Sequence, residues 1–193
     1  VAELVRLGAT YIQLDAPHYP LLIDPRTRSF YESRGWDRER WLGAGIELDN
    51  ALMADFPGVT FGFHLCRGNQ GSRWLVEGAY DSIAAPIFKS IRAQRLLLEY
   101  DDARSGSFAP LAQVPDDKIV VLGLVSTKRA DLETREDLLA RIAAAARHFP
   151  LEQLALSPQC GFASSIVGNN LSEQEQRQKL ALVVETAASV WDG

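Results

Sequence analysis

The alternation of apolar runs and helical stretches predicts an α/β chain of the (β/α)8 barrel type, with these 193 residues supplying roughly the C-terminal five βα units. Three observations carry this expectation. Strand-like and helix-like segments follow each other in turn, the pattern that parallel sheets impose. The run from Lys118 to Val125 is apolar without alternation, as in a strand covered on both sides. The unusual polar residues, Asp15, His64, Cys66, Glu99, Lys128 and Cys160, all fall at the C-terminal ends of strands, where barrel enzymes build their catalytic loops. A closed barrel needs about 250 residues, so residues 1–193 read as one catalytic domain whose N-terminal half is missing, lost or supplied by another chain. An open doubly wound sheet is the alternative, but no G-x-G-x-x-G or P-loop supports nucleotide binding.

Each element has its own signal. Val1 to Leu7 has helical spacing and stops at Gly8, and Thr10 to Asp15 is a β-branched and aromatic strand halted by Pro17. A proline-punctuated loop is expected from His18 to Arg34, and at about 17 residues its length suggests a functional loop, with His18 over the expected mouth as a candidate general acid. Trp36 to Phe56 reads as helix, with Trp41, Leu42, Ile46, Leu48, Leu52 and Met53 as one apolar stripe ended by Pro57-Gly58. Val59 to Cys66 is the second strand, followed by a polar loop through Gly78. Tyr80 to Arg92 is a helix that Pro86 should kink or shorten. Leu96 to Tyr100 and Lys118 to Val125 are the third and fourth strands, and Gln153 to Leu156 the fifth. Leu132 to His148 is a helix, and the last one opens on a capping box of Ser172 and Glu175 and runs to about Trp191.

Composition narrows the class. With 47% hydrophobic residues the chain can bury one sizeable core. Its net charge of -5 is spread without basic runs, so neither nucleic acid nor a membrane surface is an expected partner. No apolar run reaches the roughly 20 residues of a membrane span and no signal peptide is apparent, which places the expected location in the cytoplasm. Cys66 and Cys160 are the two cysteines, too few for a disulfide framework.

His64 and Cys66 stand two residues apart at a strand end. Alternate residues of a strand share a face, so both can reach one atom. Joined by Glu99 and Cys160 from two other strand ends, they offer one nitrogen, two sulfurs and one oxygen, a set suited to tetrahedral zinc.

The segments IQLDAP, FHLCRGN, LLLEYDDARSG, LGLVSTK and LSPQCGFAS resemble, in order and spacing, the C-terminal catalytic barrel of cobalamin-independent methionine synthases and their short relatives, including the epoxyalkane:coenzyme M transferases. The resemblance spans about residues 5 to 190. It implies a zinc site of His64, Cys66, Glu99 and Cys160, with Asp15 holding the amino group of the thiol substrate; zinc would then activate that thiol for in-line attack on an alkyl carbon, and Glu99, the hardest donor, is the ligand expected to leave when the substrate sulfur enters. Homocysteine would be the methyl acceptor and a methyl-folate or other alkyl donor the second substrate, as in methionine biosynthesis. Three departures affect the donor side. Asp15-Ala16-Pro17 stands where those enzymes show D-E-P, Lys128 replaces a histidine thought to protonate the departing folate, and Pro158-Gln159-Cys160-Gly161 replaces P-D-C-G. Lys128 is therefore expected to protonate a leaving oxygen or nitrogen, Arg67 to face a substrate carboxylate or sulfonate, and Asn69 to shape a turn and touch the ligand. Asp101, Asp102 and Arg104 read as a solvated loop with an internal ion pair. The rival expectations are thiol addition to an epoxide, a metal-free barrel of the uroporphyrinogen decarboxylase type, and an inactive fragment or interaction subunit.

Overall fold

The computed structural model describes residues 1–192. Its strands are β1 (Tyr11–Asp15), β2 (Thr60–Leu65), β3 (Arg95–Glu99), β4 (Ile119–Val125) and β5 (Leu154–Pro158), which lie in sequence order and pair in parallel throughout. The helices are α1 (Ala2–Arg6), α2 (Pro25–Glu32), α3 (Arg38–Met53), α4 (Asp81–Ser90), α5 (Arg135–Ala145) and α6 (Glu173–Trp191). Among the described residues β1 and β5 are each paired on one side only, so the five strands form an arc of a barrel wall. No helix among them is long and apolar enough to cross a membrane.

Register sorts the strand side chains into two layers. Ile12, Phe61, Phe63, Leu65, Leu96, Leu98, Val120, Leu122 and Leu154 lie on the face covered by helices and are buried. Each such side chain contributes about 1.5–3 kcal/mol by leaving water. The other face carries Gln13, Asp15, Gly62, His64, Leu97, Glu99, Gly123 and Ser157 in matched rows, a small and polar layer. All the strand-end chemistry therefore points to the concave side.

Several expectations are corrected. The predicted loop from His18 to Arg34 contains α2, started by the Asp24 side chain accepting from the Arg26 amide, with Pro25 in the first helical position where its missing N–H costs nothing. The stripe assigned to α3 is two faces: Leu42, Ile46 and Met53 are buried, whereas Leu48 and Leu52 are exposed. Leu48 stands about 200° around the helix from Ile46, and with Trp36 and Trp41 it lines a groove of about 570 Å³ that includes none of the four candidate metal ligands. Pro86 sits inside α4 without ending it. The Ser82 carbonyl, left without the proline's N–H, accepts instead from the Arg38 guanidinium.

The capping box of α6 forms as predicted, with Ser172 accepting from the Glu175 amide and Glu175 accepting from the Ser172 amide. At Gly123 the backbone of the segment after β5 crosses so closely that an added Cβ would lie 2.7 Å from Gln159 Cα and 3.0 Å from the Leu98 carbonyl oxygen. Gly123→Ala should therefore destabilise the fold by about 1–3 kcal/mol, read as a lower denaturation midpoint, because backbone rather than a movable side-chain tip must yield.

Candidate metal centre

β2 delivers His64 on its concave face and Cys66 immediately after its last residue, β3 ends on Glu99, and the turn after β5 brings Cys160 across. One ligand atom from each of the four lies within 4.8 Å of the others. The two sulfurs are 3.9 Å apart and His64 Nε2 is 3.5 Å from Glu99 Oε1. Two sulfurs bound tetrahedrally at about 2.3 Å would stand about 3.8 Å apart, and a nitrogen and oxygen at about 2.05 Å would stand about 3.3 Å apart. The spacing and donor chemistry fit zinc.

The surroundings orient these groups. His64 Nδ1 lies 3.0 Å from Asp15 Oδ1, which fixes the tautomer that leaves Nε2 available to a metal. In the protein as it stands Nε2 also reaches the Gln159 carbonyl oxygen at 3.1 Å. Glu99 is fully buried, and its Oε1 accepts from the Arg67 amide at 2.9 Å. Asn69 Nδ2 donates to the Gly161 carbonyl at 2.6 Å and to Ser164 Oγ at 2.9 Å, while its Oδ1 accepts from Asn169 Nδ2 at 2.8 Å. Asn169 also donates to the Thr127 carbonyl and Gln159 Nε2 to Thr127 Oγ1, tying the loops after β2, β4 and β5 together.

Three roles read from the sequence change in this light. The Arg67 guanidinium is completely buried, stacked 4.2 Å from the Tyr80 ring centre and donating to the Gly78 carbonyl and the Tyr80 hydroxyl, so its charge is turned into the protein and it is its backbone amide that holds Glu99. Asn69 braces the Cys160 turn. Lys128, expected to protonate a leaving group, is buried with its Nζ 3.9 Å from Glu99 Oε2. The acidic loop after β3 is only partly solvated: Asp101 is buried and pairs at 2.7 Å with the half-buried Arg104, and Asp102 also holds Arg104. The expected internal pair is there, closer to the centre than its polar sequence suggested. Sequence reasoning missed the bracing by Asn169 and Ser164 and the partnership of Asp15 with His64. The first two lie about 100 residues from Asn69, so no local spacing signals them.

Electrostatics point the same way. Burial alone would lower the His64 pKa, but hydrogen bonds to Asp15 and Glu99 outweigh it and the ring is held up to about 10. The two thiols share one proton: the Cys66 hydrogen bond lowers Cys160 to about 6, and that bond together with burial pushes Cys66 far up. Burial lowers the Lys128 pKa. Without a cation the same cluster favours protons on His64 and on one of the two thiols.

Comparison with known proteins gives the family and the fold. The family described as "Cobalamin-independent synthase, Catalytic domain" matches residues 1–189. The Bacillus subtilis (strain 168) proteins YxjH and YxjG, both uncharacterized, are each 42% identical over 186 residues, covering 95% of this chain and 49% of theirs. The chain thus spans about half the length of these relatives. A solved structure assigned as a vitamin-B12-independent methionine synthase from Listeria monocytogenes superimposes with a TM-score of 0.72 at 26% identity, over 99% of this chain and 51% of that one. A B12-independent methionine synthase from Shewanella sp. W3-18-1, in complex with selenomethionine, gives 0.71 at 20% identity with the same coverage and shares the fold. The arc of five parallel strands is accordingly part of a (β/α)8 barrel wall.

Metal uptake should release protons, because ligands bind deprotonated. Between the Cys160 value of about 6 and the His64 value of about 10, zinc should displace about two protons per ion near pH 8. Apparent affinity should weaken as pH falls, since protons then compete for the same atoms. Titration in weak buffer with an indicator dye checks both. Asp15→Asn should weaken zinc binding about 10–100-fold in a chelator competition assay, with the fold intact.

Proposed function

The chain belongs to the cobalamin-independent synthase catalytic-domain family, and from that premise we propose that it is the thiol-activating part of a zinc-dependent S-methyltransferase. Homocysteine is the acceptor in this reading, and a methyl-folate or another alkyl donor supplies the carbon. The observation that supports it is the gathering of His64, Cys66, Glu99 and Cys160 from three strand ends to within 4.8 Å of one another.

Zinc held there would lower the pKa of a ligated substrate thiol, making the sulfur anionic and nucleophilic near neutral pH. Cys66 and Cys160, as thiolates, and the Glu99 carboxylate together outweigh a dication's charge, which keeps electron density on the incoming sulfur. Asp15 has a side chain 58% exposed and uses one oxygen on His64, so its carboxylate can also meet the amino group of the substrate. A cavity of about 240 Å³ opens on the concave face, lined by Gln13, His64, Gly123, Gln159 and Cys160 among others. That is below the 300–1,000 Å³ typical of sites for larger ligands, so it suits a small thiol, and a bulkier donor approaches from the open side. The sulfur lone pair forms the S–C bond as the bond from methyl to donor breaks. The bonding pair leaves with the donor atom, which takes up a proton from water on the open side. Lys128, buried against Glu99, acts on that carboxylate rather than as this proton's source.

Purified protein should hold about one zinc per chain, and Cys160→Ser should lose it. Homocysteine with methyl-tetrahydrofolate should give methionine. Turnover of coenzyme M with an epoxide in its place would select the epoxide-opening relatives. Protein that contains no zinc and takes none up on addition would favour a metal-free barrel of the uroporphyrinogen decarboxylase type or an inactive fragment.

A further inference from the structure

Glu99 presents its two oxygens to different neighbours. Oε1 is held by the Arg67 amide on the side of His64 and the cysteines. Oε2 is buried and has no hydrogen-bond partner among the described residues, yet two cations stand just beyond bonding distance, Arg104 Nη2 at 3.6 Å and Lys128 Nζ at 3.9 Å. Lys128 Nζ is likewise buried and without a hydrogen-bond partner among the described residues.

Two buried groups of opposite charge face each other with their bond unmade, and shifting the carboxylate by about 1 Å would close it. Both cations are fixed from behind. Arg104 is held by Asp101 and Asp102 and lies over the Trp74 ring. The loop carrying Lys128 is anchored where the Ser126 amide donates to Glu133, which pairs at 2.8 Å with the fully buried Lys179 of α6. Closing the bond to Glu99 would offset the cost of burying the Lys128 ammonium without a hydrogen bond.

We propose that Arg104 and Lys128 form a receiver for the Glu99 carboxylate, giving Glu99 two positions and setting how readily a substrate thiol takes its place among the metal ligands. This rests on the zinc reading above. Two thiolates and a carboxylate already exceed the charge of a dication by one, and a third thiolate would add another unit of negative charge. Moving the carboxylate onto Arg104 and Lys128 keeps the ligand charge constant and gives Lys128 the hydrogen bond it lacks. Arg104 and Lys128 are positioning residues in this scheme, acting through Glu99.

The test uses the purified protein loaded with cobalt(II), whose visible spectrum reports the number of sulfur ligands. In the unsubstituted protein, homocysteine and 2-mercaptoethanol should each raise that number from two to three. Lys128→Met should weaken uptake of both thiols about tenfold or more while binding cobalt at least as tightly, because Glu99 then stays on the metal. Lys128→Arg should restore uptake. Three results would overturn the receiver: unchanged thiol uptake in Lys128→Met, loss of cobalt affinity in parallel with it, or weakening for homocysteine alone, which would make Lys128 a contact for the substrate carboxylate. Unsubstituted protein that binds cobalt but exchanges no ligand would also sink it while leaving the metal centre standing. Protein that binds no metal would remove the proposed function itself.

Discussion

Two sulfur atoms 3.9 Å apart beside a fully buried carboxylate concentrate more negative charge than a protein interior tolerates uncompensated. The rest of the site answers that constraint. His64 is driven to hold its proton, Cys66 and Cys160 share one, and Arg104 and Lys128 close in behind Glu99. A dication coordinated by the four groups resolves the same conflict in one step. The donor set and its spacing therefore fit a dication, which is the basis of the zinc reading proposed above.

The scaffold makes this affordable by separating the two sides of the sheet. Phe61, Phe63, Leu65, Leu96, Leu98 and the alternate residues of β4 form the helix-covered layer that stabilises the arc. The concave layer is left free to carry Asp15, His64 and Glu99 in adjacent rows. Glycines in that layer matter for the same reason: Gly123 makes room for the chain to cross toward Cys160. The turn carrying Cys160 is then secured by Asn69, Asn169 and Thr127 rather than by secondary structure of its own. The turn is thus braced from outside the four clustered residues.

Much of this was legible in the chain. Strand positions, their parallel order and the identity of the four clustered groups follow from short-range patterns: apolar runs, helix caps, and a histidine and cysteine two residues apart. The errors arose where a pattern has two structural solutions. Leu48 and Leu52 satisfy helical spacing with each other but not with Ile46, so one stripe became two faces. The Asp24-Pro25 pair starts a helix as readily as it marks a loop, and the free Ser82 carbonyl under Pro86 found a distant arginine.

From the sequence alone came the fold class and the set of groups that can meet at the strand ends, because period and spacing are properties of the local chain and survive without knowledge of its partners. What each neighbouring polar residue does was decided by the tertiary structure. Arg67, Asn69 and Lys128 all carry groups that could meet a substrate, yet one stacks on Tyr80, one braces a turn and one stands against Glu99. A polar side chain takes whichever partner the folded chain brings within about 3 Å, and those partners come from residues up to about 100 positions away.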